Sequence, residues 1–157
     1  MKLLNIETKE EIEGIIVRVS SKELDKLNND KNFVFDWSTE SQNQVYKITV
    51  KDKSTILGLI SLIDYPQEFR IHINLIEARK DQRGKHKKIG NIPGCLIAFA
   101  CREAFKNGYG GFVSLKPKTQ LIKYYQKYRF VEVGMQMAIA AQDSKKLISK
   151  YFDDEEI

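Results

Sequence analysis

Two cysteines and three prolines in 157 residues exclude several kinds of protein at once. Cys95 and Cys101 stand six apart in one apolar run, with no CxxC spacing and no neighbouring histidine. That pattern is neither a zinc ribbon nor a disulfide framework, and it suits two small buried thiols in a reducing compartment. No metal site is expected. The prolines are scattered and no stretch is rich in Pro, Gly or Ser, so there is no linker and one domain is expected over residues 1–157. No apolar run approaches the roughly 18 residues of a membrane-spanning helix. Leu3-Leu4 is too short to be the core of a secretory signal, and the expectation is a cytoplasmic protein with no membrane partner. The nucleotide-binding patterns GxxxxGK[ST] and GxGxxG are both missing.

What is present is a soluble composition, 42% hydrophobic and 30% charged, with a formal charge of +5. The chain is organised around Ile71 to Phe112. An apolar strand, Ile71 to Glu77, leads into a basic loop from Arg79 to Pro93. A helix then opens at Gly94 with seven apolar residues in a row, Cys95 to Cys101, and so must be covered on most sides. The loop holds Arg79, Lys80, Arg83, Lys85, Lys87 and Lys88 against Asp81, an excess of +5 beside a helix start. Orphan N–H groups and the helix dipole make such a start a site for anions.

Along the chain, Ile15 to Val19 is a β-branched strand, and Ser20 with Glu23 forms a capping box for a helix carrying Leu24 and Leu27. Phe33 to Trp37 is aromatic and undecided. Val45–Val50, Ile56–Ile63 and the Ile71 strand are joined by polar turns, which predicts an antiparallel meander. Gly110 to Leu115 is the strand after the buried helix, and strand–helix–strand predicts a parallel βαβ crossover. Thr119 can cap a third helix with Leu121, Ile122, Tyr124, Tyr125 and Tyr128. Phe130–Val133 and Met135–Ile139 form a hairpin through Gly134. Asp143 or Ser144 starts a last helix, which trails into Asp153, Asp154, Glu155 and Glu156. The sum is a mixed α/β (α+β) sheet, neither doubly wound nor a barrel.

The segment Leu75 to Gly134 resembles the core of the GCN5-related N-acetyltransferase (GNAT) superfamily. Lys88-Ile89-Gly90-Asn91-Ile92-Pro93 stands where that family has a Q/R-x-x-G-x-G/A pyrophosphate loop, and Tyr124 to Phe130 where it has a Tyr-Glu-Lys-x-Gly-Phe-like segment. Lys88 replaces Gln or Arg, Asn91 and Pro93 replace small residues, and Arg129 replaces Gly. Asn91 tolerates a positive φ, and Pro93 suits the first position of a helix. The resemblance implies a mostly antiparallel sheet with a central parallel crossover and a C-terminal hairpin.

It also implies an acyltransferase that binds acetyl-CoA and passes the acetyl group to a small-molecule or peptide amine, by direct attack in a ternary complex. Cofactor contacts would fall on Ile76, Glu77 and Ala78, on Lys85, Lys87 and Lys88, on Ile89 to Gly94, and on Tyr125. Tyr125 would protonate the departing thiolate. The base is open between Glu77, His72 and a water, with Glu77 preferred; Asn74 cannot act as one. His86 is a phosphate neighbour or nothing. Asp36, Trp37 and Glu40 fall where the family shapes its acceptor site. The other reading of the basic loop is a nucleic-acid-associated protein, including a toxin-like acetyltransferase acting on charged tRNA; nucleic acid is the less expected partner. A monomer or a homodimer would suit either.

Overall fold

The apolar run 95–101 lies at the centre of α2, Ile92–Lys106, and around it the rest of the molecule is laid out. The computed structural model describes residues 1–153, so the acidic residues expected at 154–156 lie outside the described residues. Its strands are β1 (Lys2–Asn5), β2 (Glu11–Arg18), β3 (Gln44–Val50), β4 (Gly58–Tyr65), β5 (Arg70–Ala78), β6 (Ile89–Gly90), β7 (Val113–Leu115), β8 (Val131–Val133) and β9 (Gln136–Ile139). The other helices are α1 (Ser21–Leu27), α3 (Ile122–Gln126) and α4 (Ala141–Tyr151). They sit on a nine-stranded sheet in the order β6-β1-β2-β3-β4-β5-β7-β9-β8, antiparallel except for β5 and β7. The expected meander is β2 to β5, the crossover is β5-α2-β7, and the hairpin β8-β9 turns at Gly134, φ +62°.

One face of the sheet packs against α2 and α4 through Ile48, Ile60, Ile71, Ile73 and Val113. The other carries a smaller cluster of Val19, Leu24, Leu27, Phe33, Trp37, Val45 and Leu59. α4 lies so close to α2 that a Cβ on Gly94 would meet Tyr151 Cζ at 2.2 Å. Glycine at that position is a packing requirement.

Several boundaries differ from the sequence reading. β1 and β6 carry no pattern of their own; β6 is two residues long and is held by its ladder to Leu4 and Asn5. α2 starts at Ile92, not Gly94, because Asn91 takes the left-handed conformation, φ 71°, and becomes its N-cap. Pro93 is therefore the second helical residue, not the first, at a position whose N–H has no partner inside the helix. Ser20 caps α1 as expected, accepting from the Glu23 N–H at 3.3 Å. Thr119 caps nothing and lies within a 3₁₀ turn that precedes α3. α4 begins at Ala141, ahead of both Asp143 and Ser144.

A bulge in β5 positions the site. Ser61 pairs with Leu75 and Leu62 with Ile73, so Asn74 is the extra residue and side-chain parity reverses there. Ile71 and Ile73 pack under α2, and past the bulge Ile76 does so while Glu77 turns to the opposite face.

Candidate active site

Strands β5 and β7 pair over only three residues, Ile71–Val113, His72–Ser114 and Ile73–Leu115. Beyond Ile73 they part, and the gap opens into a cleft between the end of β5, the loop after it, the start of α2, and α3. The Arg79 N–H donates to the carbonyl of Leu57, just before β4, at 2.8 Å. By strand alternation, the main-chain groups of Ile76 and Ala78 then face away from β4, into the gap. The Ala78 carbonyl already accepts from Arg83 Nε at 2.8 Å. The cavity is about 380 Å³ and is walled by Ile76, Ala78, Ile92, Leu121, Tyr124 and Tyr125. It is a long apolar trough with backbone amides on one side and a helix start at one end.

At that end, α2 brings Ile92, whose N–H precedes its first internal bond, Cys95 N–H to the Asn91 carbonyl at 2.9 Å. The expected cradle is narrower than Lys88 to Gly94. The N–H groups of Lys88 and Ile89 both donate to Gln82 Oε1, at 3.2 and 3.0 Å. Lys88 and Gly90 belong to the β1–β6 pairing, with the Lys88 carbonyl accepting from Ile6 N–H at 3.0 Å. Gly94 faces Tyr151. Of the loop lysines expected on phosphate only Lys87 lines the cleft; Lys85 and Lys88 do not, and neither does His86. Arg79 is held by Asp30 and Asp81, at 3.7 and 3.1 Å. The cleft instead adds Phe35, Gln82, Arg83 and Gly84, from loops of no fixed pattern, and Leu121 and Tyr124, from the turn before α3 and from α3 itself.

Glu77 lines the cleft but is 4% exposed, and its carboxylate is fully engaged. Oε2 accepts from the Val34 N–H at 2.6 Å and from Arg83 Nη2 at 2.7 Å; Oε1 accepts from Trp37 Nε1 at 2.8 Å and from the Phe35 N–H at 3.3 Å. Four donors fill the four lone-pair directions of a carboxylate. The sequence preference for Glu77 as a base meets a carboxylate that ties residues 34–37 and the basic loop to β5. His72 is no better placed. It lies where β5 and β7 are still paired, with Nδ1 2.8 Å from Ser114 Oγ and 3.1 Å from Arg70 Nη1. Burial, and then the Arg70 charge, push its pKa below the usual histidine range. Of the residues expected near an acceptor, Trp37 is buried on Glu77, and Asp36 caps the 3₁₀ turn Trp37–Glu40. Glu40 is buried and fixes the bulge, its Oε1 accepting from Asn74 Nδ2 at 2.7 Å.

Tyr125 is 8% exposed and belongs to two cavities. The first is the trough. The second, about 200 Å³, lies on the far side of the β5–β7 gap, against Asn74, Leu115, Lys116 and Lys118. Burial first, and then Tyr128, raise the Tyr125 pKa, so its hydroxyl keeps its proton. Its ring is set edge-on to Tyr124 and Phe130, centroids 5.2 and 5.9 Å apart. A second basic run is also apparent: residues 112–131 hold Lys116, Lys118, Lys123, Lys127 and Arg129 and no acid, so the positive excess is not confined to the Arg79 loop. Among the described residues no helix is long and apolar enough to cross a membrane.

No family model matches the sequence, and no curated protein matches it. Solved structures do match in fold. A chimeric spermidine N-acetyltransferase SpeG from Vibrio cholerae and hSSAT is 15% identical over 87% of this chain and 98% of its own, with a TM-score of 0.62. AtaT complexed with acetyl-methionyl-tRNAfMet is 8% identical over 87% of this chain and 100% of its own, TM-score 0.57. Nourseothricin acetyltransferase is 15% identical, TM-score 0.52, over 63% of this chain, which spans 65% of its length. The chain has the fold of the GCN5-related N-acetyltransferases.

Proposed function

We propose, from that fold as premise, that the chain is an acetyl-CoA-dependent N-acetyltransferase acting on an amine by direct attack in a ternary complex. The observation that carries this is that the trough and the acceptor-side cavity meet where β5 and β7 part, sharing Phe35, Ile76, Leu121 and Tyr125, of which only Tyr125 brings a titratable side chain. The donor set fits the cofactor: a helix start and Lys87 for a pyrophosphate, the backbone edge at Ile76 and the Ala78 N–H for an amide-bearing arm (the Ala78 carbonyl being held by Arg83), and apolar walls along its length. Bound there, acetyl-CoA would supply an acetyl group already activated as a thioester.

The protein's own groups do the rest. The Ile92 N–H and the Lys87 ammonium would hold negative charge at a helix start. Ile76 and Ala78 orient the arm. The Tyr125 hydroxyl, protonated in the wall of the trough, would be the donor available to the thioester sulfur. A thiol ordinarily titrates near 8.5, about 1.5 below tyrosine, and burial widens that gap. Tyr125 therefore stabilises developing charge on sulfur by a hydrogen bond, as an oxyanion-hole donor does, and complete transfer of its proton is uphill. With Glu77 and His72 both committed elsewhere, the amine arrives as the free base and its proton leaves through the open acceptor side to water.

Thiol release from acetyl-CoA, measured across an amine panel, tests this. The expected result is amine-dependent release whose kcat/KM rises with pH up to the pKa of the amine itself. No release with any amine contradicts the assignment. A plateau at one fixed pH for amines of different basicity would point to a base in the protein.

A further inference from the structure

The acceptor-side cavity has a sign. Its polar walls are Asn74, Lys116 and Lys118, and no acidic residue lines it. The carboxylates nearest in the fold face elsewhere: Glu40 is spent on Asn74, and Glu77 on Trp37, Arg83 and two backbone N–H groups. Lys116 and Lys118 are exposed at the end of β7, and among the described residues no acidic partner stands against either. The Lys118 Nζ sits 5.6 Å from the centre of the Phe35 ring, so these two lining side chains lie side by side in the wall. A cationic acceptor entering there meets Lys116 and Lys118 directly, while the Glu40 carboxylate stands behind Asn74 and off the wall, so electrostatic complementarity disfavours a cation at the two lysines.

Resting on the acetyltransferase reading, we infer that the acceptor is an amine that also carries an anionic group, a carboxylate or phosphate, which Lys116 and Lys118 hold while the amine faces Tyr125. This separates the chain from enzymes whose acceptor is a polycation. The aromatic Phe35 and the apolar Leu121 leave room for a short carbon chain between the two ends. The cations define specificity; the reacting nitrogen needs neither.

Three acceptors of one length and different charge test the inference: β-alanine, 3-aminopropanol and 1,3-diaminopropane. The expected order of kcat/KM, each value corrected to its free-amine fraction, is anion above neutral above monocation, with the extremes at least roughly tenfold apart. Lys116→Glu with Lys118→Glu should reverse that order while calorimetry shows acetyl-CoA affinity unchanged; both side chains are exposed, so folding is not at risk. Diaminopropane used as well as or better than β-alanine, or an order that survives the double reversal, overturns the inference. Binding is followed separately by the amide resonances of Leu115, Lys116 and Lys118. If β-alanine shifts them and diaminopropane does not, but neither is acetylated, the anion site stands and the transferase reading falls. If neither shifts them, the anion site falls.

Discussion

Glu77→Ala is expected to lower the free energy of unfolding by about 3 kcal/mol, a change set by the donors it abandons. The side chain is buried, and removal strands the Trp37 indole N–H, the Val34 and Phe35 N–H groups and the Arg83 guanidinium. A buried donor left without a partner costs about 1–3 kcal/mol. Arg83 is 43% exposed and can turn to water, so the loss falls mainly on the indole and the two amides. Because Val34 and Phe35 are themselves exposed, their N–H groups recover part of the loss by hydration. Denaturant unfolding measures the change, and proteolysis at residues 33–40 should quicken as the tether is lost. Glu77→Gln keeps the shape but turns an amide NH₂ toward other donors, so it too should be less stable. A catalytic base would behave otherwise. Its Gln variant would keep full stability and protease resistance while losing turnover, and that outcome would return Glu77 to the chemistry.

Tyr125→Phe is expected to lower kcat by about 10²–10³, the usual effect of removing one donor to developing charge. The ring fills the same space against Tyr124 and Phe130, so stability should change little, and acetyl-CoA affinity should hold because the hydroxyl matters only as charge appears on sulfur. Single-turnover kinetics alongside calorimetry separate the two quantities. Unchanged turnover would reduce Tyr125 to packing. An equal loss of affinity and rate would mean the hydroxyl binds the ground state.

The sheet was legible wherever a segment carries its own period. Val45–Val50 alternates, Ile71–Glu77 is apolar, and residues 95–101 are apolar on every side, so the meander, the crossover and the closing hairpin could all be read. β1 and β6 could not. β6 is fixed by β1 across more than 80 residues of chain, β1 lies between β6 and β2, and neither Lys2–Asn5 nor Ile89–Gly90 has enough residues to show alternation. The site divides along the same line. Tyr125, Lys87, Asn91 and the β5 edge follow from local motif and order, and the cleft contains them. The state of Glu77 depends on donors 40 to 43 positions earlier, in a loop without pattern, so a carboxylate at the mouth of a cleft read as a base. Gln82 is similar. Nothing in its composition shows that it satisfies the N–H groups of Lys88 and Ile89. The second basic run at 112–131 was visible as plain charge and went unweighed, because the excess at 79–93 already equalled that of the whole chain.

The central claim is that the trough beside α2 receives acetyl-CoA, and calorimetric titration of acetyl-CoA into the wild-type protein and into Lys87→Glu tests it most directly. The account predicts one-to-one saturable binding to the wild type, with the fold stabilised by about 2.7 kcal/mol at 100 times the dissociation constant. Lys87→Glu should bind at least roughly tenfold more weakly at low salt, because it sets like charge against phosphate beside a helix start. No heat of binding together with an unmoved thermal midpoint would contradict the account, and equal affinity in the two proteins would place the cofactor elsewhere.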